Sequence, residues 1–323
     1  MQNLNNEKMA LVSVVTPAYN QAAFLPDTVE SVLGQDYPRI EYLVLDDGST
    51  DETAEILHEY DGRILWESHA NMGQTATINK GWKRLTGDIL TWLNSDDTYL
   101  PGAVNKAVDY LARHPDVGIV FGETQDTLAD GTPVGAFKPK RGFDYEDFVL
   151  RCENPIPQPS AFIRRSVIED VGDLDTYYYY FMDWDFWLRA GLRHRIGYIP
   201  ETLSTYRLHA DSKTVSQARR AAPELERMYC KYFDRDDLPV HIRRLGARAM
   251  ANMYFTSGGY YLKGEDKIAA ARVARQAVNC DPWLLLRSRG LHKFLYCVFG
   301  STYLYRNSRS AYYQVKALWG ASH

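Results

Sequence analysis

The feature that most constrains this chain is the alternation of short apolar runs and helical patterns through its first half, with a polar loop closing each run. Residues 11–15 (LVSVV) are a short apolar run, which predicts a buried strand. Pro26 then opens a helix, Val29, Val32 and Leu33 follow at helical spacing, and Gly34 ends it. Residues 41–45 (EYLVL) predict a second strand, and Ser49-Thr50-Asp51-Glu52 reads as a capping box for a helix through Leu57. A strand at 63–66, a helix at 75–85 and a strand at 88–93 come next. Pro101 opens another helix, with Val104, Ala107, Val108 and Leu111 on one face, before a fifth strand at 117–121. This order predicts an α/β fold with a mostly parallel sheet flanked by helices.

Residues 122–210 are mixed, with a Pro-rich stretch at 154–160 and short strands. From about Ser216 the pattern is helical almost throughout. Segments 252–261 and 266–279 read as two antiparallel helices and resemble one helical-hairpin repeat of the tetratricopeptide kind. The expected organisation is therefore an α/β domain at 1–215 and an α-helical C-terminal domain at 216–323.

Charge is divided along the same line. Residues 241–323 carry 13 Lys/Arg and 3 Asp/Glu, so the first 240 residues hold a net −14 of the chain's −4. A basic tail on an acidic body points to an anionic partner for the tail. No nucleic-acid recognition motif accompanies it, so nucleic acid is not expected as a partner. Cys152, Cys230, Cys280 and Cys297 lie far apart with no C-x-x-C pair, which argues against a zinc site and fits a reducing, cytoplasmic setting. Neither a signal peptide nor a stretch of roughly 18 apolar residues is read from the sequence.

In an open parallel sheet, ligands bind beyond the carboxyl ends of the strands. The loops expected there are Thr16-Pro17-Ala18-Tyr19-Asn20, Asp46-Asp47-Gly48-Ser49, Asn71-Met72-Gly73 and Asn94-Ser95-Asp96-Asp97. Carboxylates thus arrive from two strands, and crowded carboxylates need a cation or hydrogen bonds to balance them. Adjacent carboxylates suit a hard cation that also holds phosphate oxygens, Mg²⁺ or Mn²⁺. A G-x-G-x-x-G or Walker A cradle is missing, which argues against a dinucleotide dehydrogenase and a P-loop kinase.

Taken in order, residues 14–20, 46–53, Asn71-x-Gly73 and 94–97 resemble glycosyltransferase family 2, with its GT-A fold, over roughly residues 10–210. The resemblance implies an inverting enzyme using a nucleotide-diphosphate sugar with Mg²⁺ or Mn²⁺, UDP-sugars being the first choice. It places Pro17, Ala18, Tyr19, Asp47, Asn71 and Ser95 around the donor nucleotide, with Asp47 accepting a hydrogen bond from the base. Asn94-Ser95-Asp96 stands in the place of the family's D-x-D motif, so Asp96 is the implied metal ligand. Asn94 replaces the first carboxylate, and Asp97 is read as its compensation.

Inverting transfer needs a base for the acceptor hydroxyl and a cation for the departing diphosphate. The segment 181–189 (FMDWDFWLR) resembles the family's E-D-x-x-x-W-x-x-R, which implies Asp183 as base, with Met182 where Glu is common. Residues two apart point about 200° apart on a helix, so Asp183 and Asp185 cannot share a face. Asp183 shares one with Phe186, Trp187 and Ala190. Asp185 lies four residues before Arg189, the spacing of a surface ion pair. Further on, Arg207 and His209 share a strand face and are read as partners of the diphosphate and the metal. The resemblance places Gln158 near the acceptor and donor sugar, a Pro-defined turn being the equal alternative; Tyr180, from the run Tyr177–Tyr180, reads as an acceptor platform or as packing under a loop, and Trp184 is assigned to the same side.

The expected acceptor is a glycan or lipid-linked glycan, in a role such as bacterial surface polysaccharide assembly. Residues 283–299 mix apolar, aromatic and basic side chains and resemble a membrane-surface segment, a homo-oligomer contact being the competing reading. Two other functions fit part of the pattern: a sugar-phosphate nucleotidyltransferase, and a nucleotide-sugar-binding scaffold that has lost catalysis.

Overall fold

The computed structural model describes residues 9–139, 142–209, 218–286 and 288–299. These fall into two compact units: Met1–Tyr145 with Asn154–His209, and Glu146–Glu153 with Ala210–His323, each over its described residues. The sequence assigned 146–153 to the α/β domain, but it groups with the second unit. The boundary expected near 215 lies outside the described residues, as do residues 1–8 and the end of the basic tail.

The first unit opens with β1 (Val12–Ala18), α1 (Leu25–Leu33), β2 (Ile40–Asp46), α2 (Thr53–His58), β3 (Leu65–Ser68), α3 (Gln74–Arg84) and β4 (Ile89–Trp92). Strand β1 is buried at all seven positions, as expected for a parallel strand with neighbours on both edges and cover on both faces. It pairs in parallel with β2 and with β4, and β2 pairs in parallel with β3. The switch of direction in strand order therefore falls between β1 and β4, which opens a crevice at their carboxyl ends.

Beyond β4 the sheet becomes mixed. The remaining elements of this unit are β5 (Thr98–Tyr99), α4 (Ala103–Arg113), β6 (Val117–Leu128), β7 (Pro133–Phe137), β8 (Phe162–Arg164), α6 (Arg165–Val171), α7 (Met182–Gly191) and β9 (Arg195–Leu208), while α5 (Tyr145–Arg151) falls almost wholly in the second unit. The order is β3-β2-β1-β4-β8-β6-β9-β5, with β7 on β6. Strand β8 runs antiparallel to both β4 and β6, and β6 is parallel to β9. The parallel sheet expected from the alternation thus holds for β3-β2-β1-β4. The fifth strand expected at 117–121 departs from it: β6 sits in the mixed part, antiparallel to β7 and β8.

The capping box expected at 49–52 does not form. The N-cap of α2 is Glu52, with no side-chain cap. Ser49 and Asp51 instead tie the loop after β1 to the loop after β2. Asn20 N donates to Ser49 Oγ at 2.9 Å, Thr50 N to Asn20 Oδ1 at 2.8 Å, and Ala22 N to Asp51 Oδ2 at 3.0 Å. Burial opposes the Asp51 charge, yet hydrogen bonds from Thr53 and Ala22 hold it below the usual carboxylate range. Gly48 is required here: its φ is +77°, and a Cβ would lie 2.9 Å from Asn71 N.

The second unit is helical: α8 (Ala218–Phe233), α9 (Val240–Arg243), α10 (Gly246–Lys263), α11 (Lys267–Cys280), a 3₁₀ turn (Pro282–Leu286) and α12 (Ser288–Phe299). Helices α10 and α11 are the two helices expected from the sequence. Asp266 caps α11 by accepting from Ala269 N at 2.9 Å. Ala251, Phe255, Ala274, Ala277, Leu284 and Cys297 form a core between them and α12. Among the described residues, no helix is long and apolar enough to cross a membrane.

Candidate active site

The loops after β1, β2 and β4 and the turn before α3 meet at the crevice. Pro17 and Ala18 close β1 in buried positions, and Tyr19 is half exposed beyond them. Asp47 is buried, and its two oxygens accept from Met72 N at 2.7 Å and Gly73 N at 2.9 Å. It therefore holds the Asn71-Met72-Gly73 turn at the start of α3, leaving Asn71 exposed. Asp46 does the same for its own loop, accepting from Ser49 N and Ser68 Oγ.

The two carboxylates after β4 separate sharply. Asp97 is fully buried: Oδ1 accepts from Arg207 N at 3.0 Å and Oδ2 from Asn94 Nδ2 at 3.1 Å. Burial, then the charge of Asp96, pushes the Asp97 carboxyl well above the usual range. Its backbone carbonyl also accepts from Thr28 of α1 at 2.8 Å. The reading of Asp97 as a metal ligand is corrected on these grounds: both oxygens are committed to the protein, so Asp97 fixes the loop to β9.

Asp96, by contrast, keeps a fifth of its side chain exposed, and its Oδ2 lies 3.0 Å from His209 Nε2. His209 packs against Phe24, with ring centroids 4.7 Å apart. A carboxylate oxygen and an imidazole nitrogen thus stand side by side, and the carboxylate is the donor type that suits Mg²⁺ and Mn²⁺. Among the described residues no group of three or more His, Cys, Asp or Glu is placed to hold a metal. A cation held by this pair would have to take its other ligands from phosphate oxygens and water.

Arg207 stands differently from its expected role. It is 6% exposed, and it donates through Nε to Asp96 O, Nη1 to Ala129 O and Nη2 to Asp27 Oδ2, at 2.7–3.0 Å. Its guanidinium also lies 5.0 Å from the Phe24 ring centroid. These bonds knot α1, the loop after β4 and the end of β9. Arg207 therefore acts by positioning Asp96 and His209.

Asn94, in the place of the missing carboxylate, is the centre of a polar relay. Its Oδ1 accepts from Gln74 Nε2 at 2.8 Å, and its Nδ2 donates to Asp97 Oδ2 and to Gln158 Oε1, both at 3.1 Å. Gln158 in turn donates to Trp92 O at 2.7 Å. Only an amide satisfies both sides. An Asn94→Asp substitution would set a second carboxylate against buried Asp97 and lose the donor to Gln158. It is expected to cost about 2 kcal/mol and lower Tm by roughly 5 °C, read by thermal unfolding. An unchanged Tm would contradict this account of Asn94. Ser95, beside it, is buried.

Helix α7 carries Asp183 in its first turn, and Asp183 Oδ2 accepts from Asn154 Nδ2 at 3.4 Å. Segment 154–158 thus bonds to Asp183 at one end and to Asn94 at the other. Phe186, Trp187 and Ala190 are fully buried, as the helical spacing implied. The Asp185–Arg189 pair forms at 2.8 Å, but it is buried rather than on the surface. Arg189 also donates to Val171 O and Asp173 O, so the pair locks α7 to the end of α6. Met182 is buried, its sulfur accepting from Thr75 Oγ1 at 3.0 Å, a packing reason for its standing where Glu is common. Of the Tyr run, Tyr178 is buried, Tyr177 and Tyr179 are exposed, and Tyr180 and Trp184 both pack on Phe181 with ring centroids 5.0 Å apart.

Sequence reasoning missed the backing of this site. Trp82 of α3, Trp92 of β4 and Trp187 of α7 form a buried row, with centroids 5.5 and 5.9 Å apart, and Phe186 packs on Trp82 at 5.8 Å. One aromatic layer therefore supports the strand that leads to Asp96 and the helix that carries Asp183. Trp92, two residues before Asn94, was the available signal.

A sheet of this order, with its crevice at the β1/β4 switch, is the GT-A fold of glycosyltransferases. The Staphylococcus aureus protein TarS (residues 1–349, in complex with UDP-GlcNAc) superposes with a TM-score of 0.66 at 17% identity over 89% of each chain. The mannosyltransferase PcManGT of Pyrobaculum calidifontis, in complex with GDP-Man and Mn²⁺, gives 0.59 at 18% identity over 90% of this chain and 85% of its own. Residues 13–172 match Glycosyl transferase family 2, and the chain belongs to that family. An uncharacterized glycosyltransferase of Rickettsia prowazekii is 27% identical over 68% of this chain and 70% of its own. The Bacillus subtilis glycosyltransferase TuaG, named for teichuronic acid biosynthesis, is 36% identical over 39% of this chain and 52% of its own.

Proposed function

We propose that this glycosyltransferase moves a sugar from a nucleotide-diphosphate donor, UDP-sugars being the first choice, to a hydroxyl of a glycan or lipid-linked glycan, with inversion. The observation that carries the reading is the Asp96–His209 pair, 3.0 Å apart beyond β4, backed by the same indole row as the helix of Asp183. The donor nucleotide meets Pro17, Ala18, Tyr19, Asn71 and Ser95, with Asp47 holding the Asn71 turn. Asp96 and His209 hold Mg²⁺ or Mn²⁺, which when bound offsets the charge that develops on the diphosphate. Asp183 accepts the acceptor hydroxyl proton as that oxygen attacks the anomeric carbon, and the bond to the diphosphate breaks with its electron pair leaving on phosphate. Gln158, Tyr180 and Trp184 lie on the sugar and acceptor side. The complexes of TarS with UDP-GlcNAc and of PcManGT with GDP-Man and Mn²⁺ support this donor class, and the name of TuaG, teichuronic acid biosynthesis, supports a place in surface polysaccharide assembly.

A thermal-shift panel of UDP-, GDP- and dTDP-sugars with Mn²⁺ tests the reading. A UDP-sugar at about 100 times its Kd should stabilise the protein by about 2.7 kcal/mol. That amounts to a rise in Tm of roughly 5–10 °C, and Mn²⁺ omission should abolish most of it. If none of the donors shifts Tm, the proposal fails. A clear shift without transfer to any glycan tried would favour the scaffold reading.

A further inference from the structure

The stretch Asn154-Pro155-Ile156-Pro157-Gln158-Pro159-Ser160 places proline at every second position. Each proline fixes its own φ, so the span has few conformations to lose on folding. Its far end is pinned to the sheet. Gln158 donates to Trp92 O at 2.7 Å and accepts from Asn94 Nδ2 at 3.1 Å, and Gly122 N of β6 donates to Ser160 Oγ at 3.2 Å. Ile156 and Pro159 are buried. The span is therefore a stiff arm rooted beside the loop of Asn94 and Asp96.

The near end of the arm carries Asn154, half-buried, which uses both ends of its amide. Its Oδ1 accepts from Ile156 N at 3.0 Å, which closes an Asx turn and fixes how the amide is turned. Its Nδ2 donates to Asp183 Oδ2 at 3.4 Å. An aspartate carboxylate rotates in a broad torsional well about its last bond. A general base must instead hold one lone pair on the hydroxyl it deprotonates. A donor locked into a proline-bounded turn restrains that rotation. Hydrogen bonds of this kind are often long before substrate binds and tighten in the reacting complex. Asp at 154 would keep the acceptor for Ile156 N and lose the donor, whereas Ala would lose both.

We infer that Asn154 is a positioning residue for Asp183, setting the orientation of its carboxylate from the arm rooted at Gln158. The inference rests on the reading of Asp183 as the base.

The test is a double-mutant cycle in the intact chain. Turnover is read as nucleoside-diphosphate release from the sugar nucleotide that the thermal-shift panel selects, and donor Kd by calorimetry. Asn154→Ala and Asn154→Asp should each lower kcat about tenfold or more, with donor Kd within about twofold of the parent. Asn154→Asp keeps the turn, so it decides the matter should Asn154→Ala fold poorly by circular dichroism. Added to Asp183→Asn, either change should cost no further rate, because Asn154 then has no carboxylate to orient. A purely structural role would instead lower the rate of the parent and of Asp183→Asn by the same factor, and that result overturns the inference. So does a parent-like kcat in folded Asn154→Asp. If Asp183→Asn itself keeps turnover, the base reading falls and takes the inference with it. If Asp183→Asn is inactive while Asn154→Asp is not impaired, the inference alone falls.

Discussion

Asp183→Asn is expected to lower kcat by about 10²–10⁴-fold while leaving donor affinity within about twofold. The amide keeps the shape of the carboxylate and cannot take the acceptor proton. The substitution should be mild for the fold, because Asp183 is only partly buried and the amide matches the carboxylate in size. Neighbouring Asp185 provides the contrast. It is buried and pairs with Arg189, which locks α7 to α6, so Asp185→Asn should show itself first as lost stability. Steady-state kinetics with a donor Kd by calorimetry separate the two. Turnover by Asp183→Asn within about tenfold of the parent would move the base elsewhere.

Asp96→Ala should remove the Mn²⁺-dependent part of donor binding and depress transfer by about 10³-fold, the scale of losing a charge-stabilising group in a reaction of this kind. The loop should survive the change. Its position rests on Asp97, on the Asp96 backbone carbonyl that accepts from Arg207, and on Asn94, none of which the substitution alters. Asp97→Ala is the instructive opposite: it strips acceptors from Arg207 N and Asn94 Nδ2 in a dry setting and should destabilise the whole loop. Mn²⁺ titrations monitored through donor affinity decide the matter. An unchanged metal dependence in Asp96→Ala would remove it from the metal site.

What the sequence made legible was the local part. Apolar runs marked β1, β2 and β4, and the polar residues after them marked the loops that meet at one edge of the sheet. Helical spacing put Asp183 and Asp185 on different faces, and the family resemblance singled out Asp183 as the base. What stayed hidden depended on partners distant in the chain. Asp96 and Asp97 are adjacent and identical in type. Their roles divide only because Arg207, 110 positions away, takes up Asp97, and His209 stands beside Asp96. Arg207 looked like a free cation because its partner Asp27 lies 180 residues earlier. Ser49 and Glu52 fit a capping box by spacing, but the nearby loop after β1 takes the oxygens of Ser49 and Asp51. The mixed sheet was unreadable for a related reason: β8 is three residues long, too short to show a period.

The row of Trp82, Trp92 and Trp187 has a consequence for how such an enzyme can change over evolutionary time. A displacement of about 1 Å between base and leaving group costs on the order of 100-fold in rate. On the proposed function, that separation rests on three rings in the interior, away from the loops proposed to meet the nucleotide. Substitutions at Tyr19, Asn71 or the exposed tyrosines can then retune which donor or acceptor is admitted without shifting the catalytic gauge. On this reading selectivity and reactivity rest on separate parts of the molecule, so one can drift while the other is held constant.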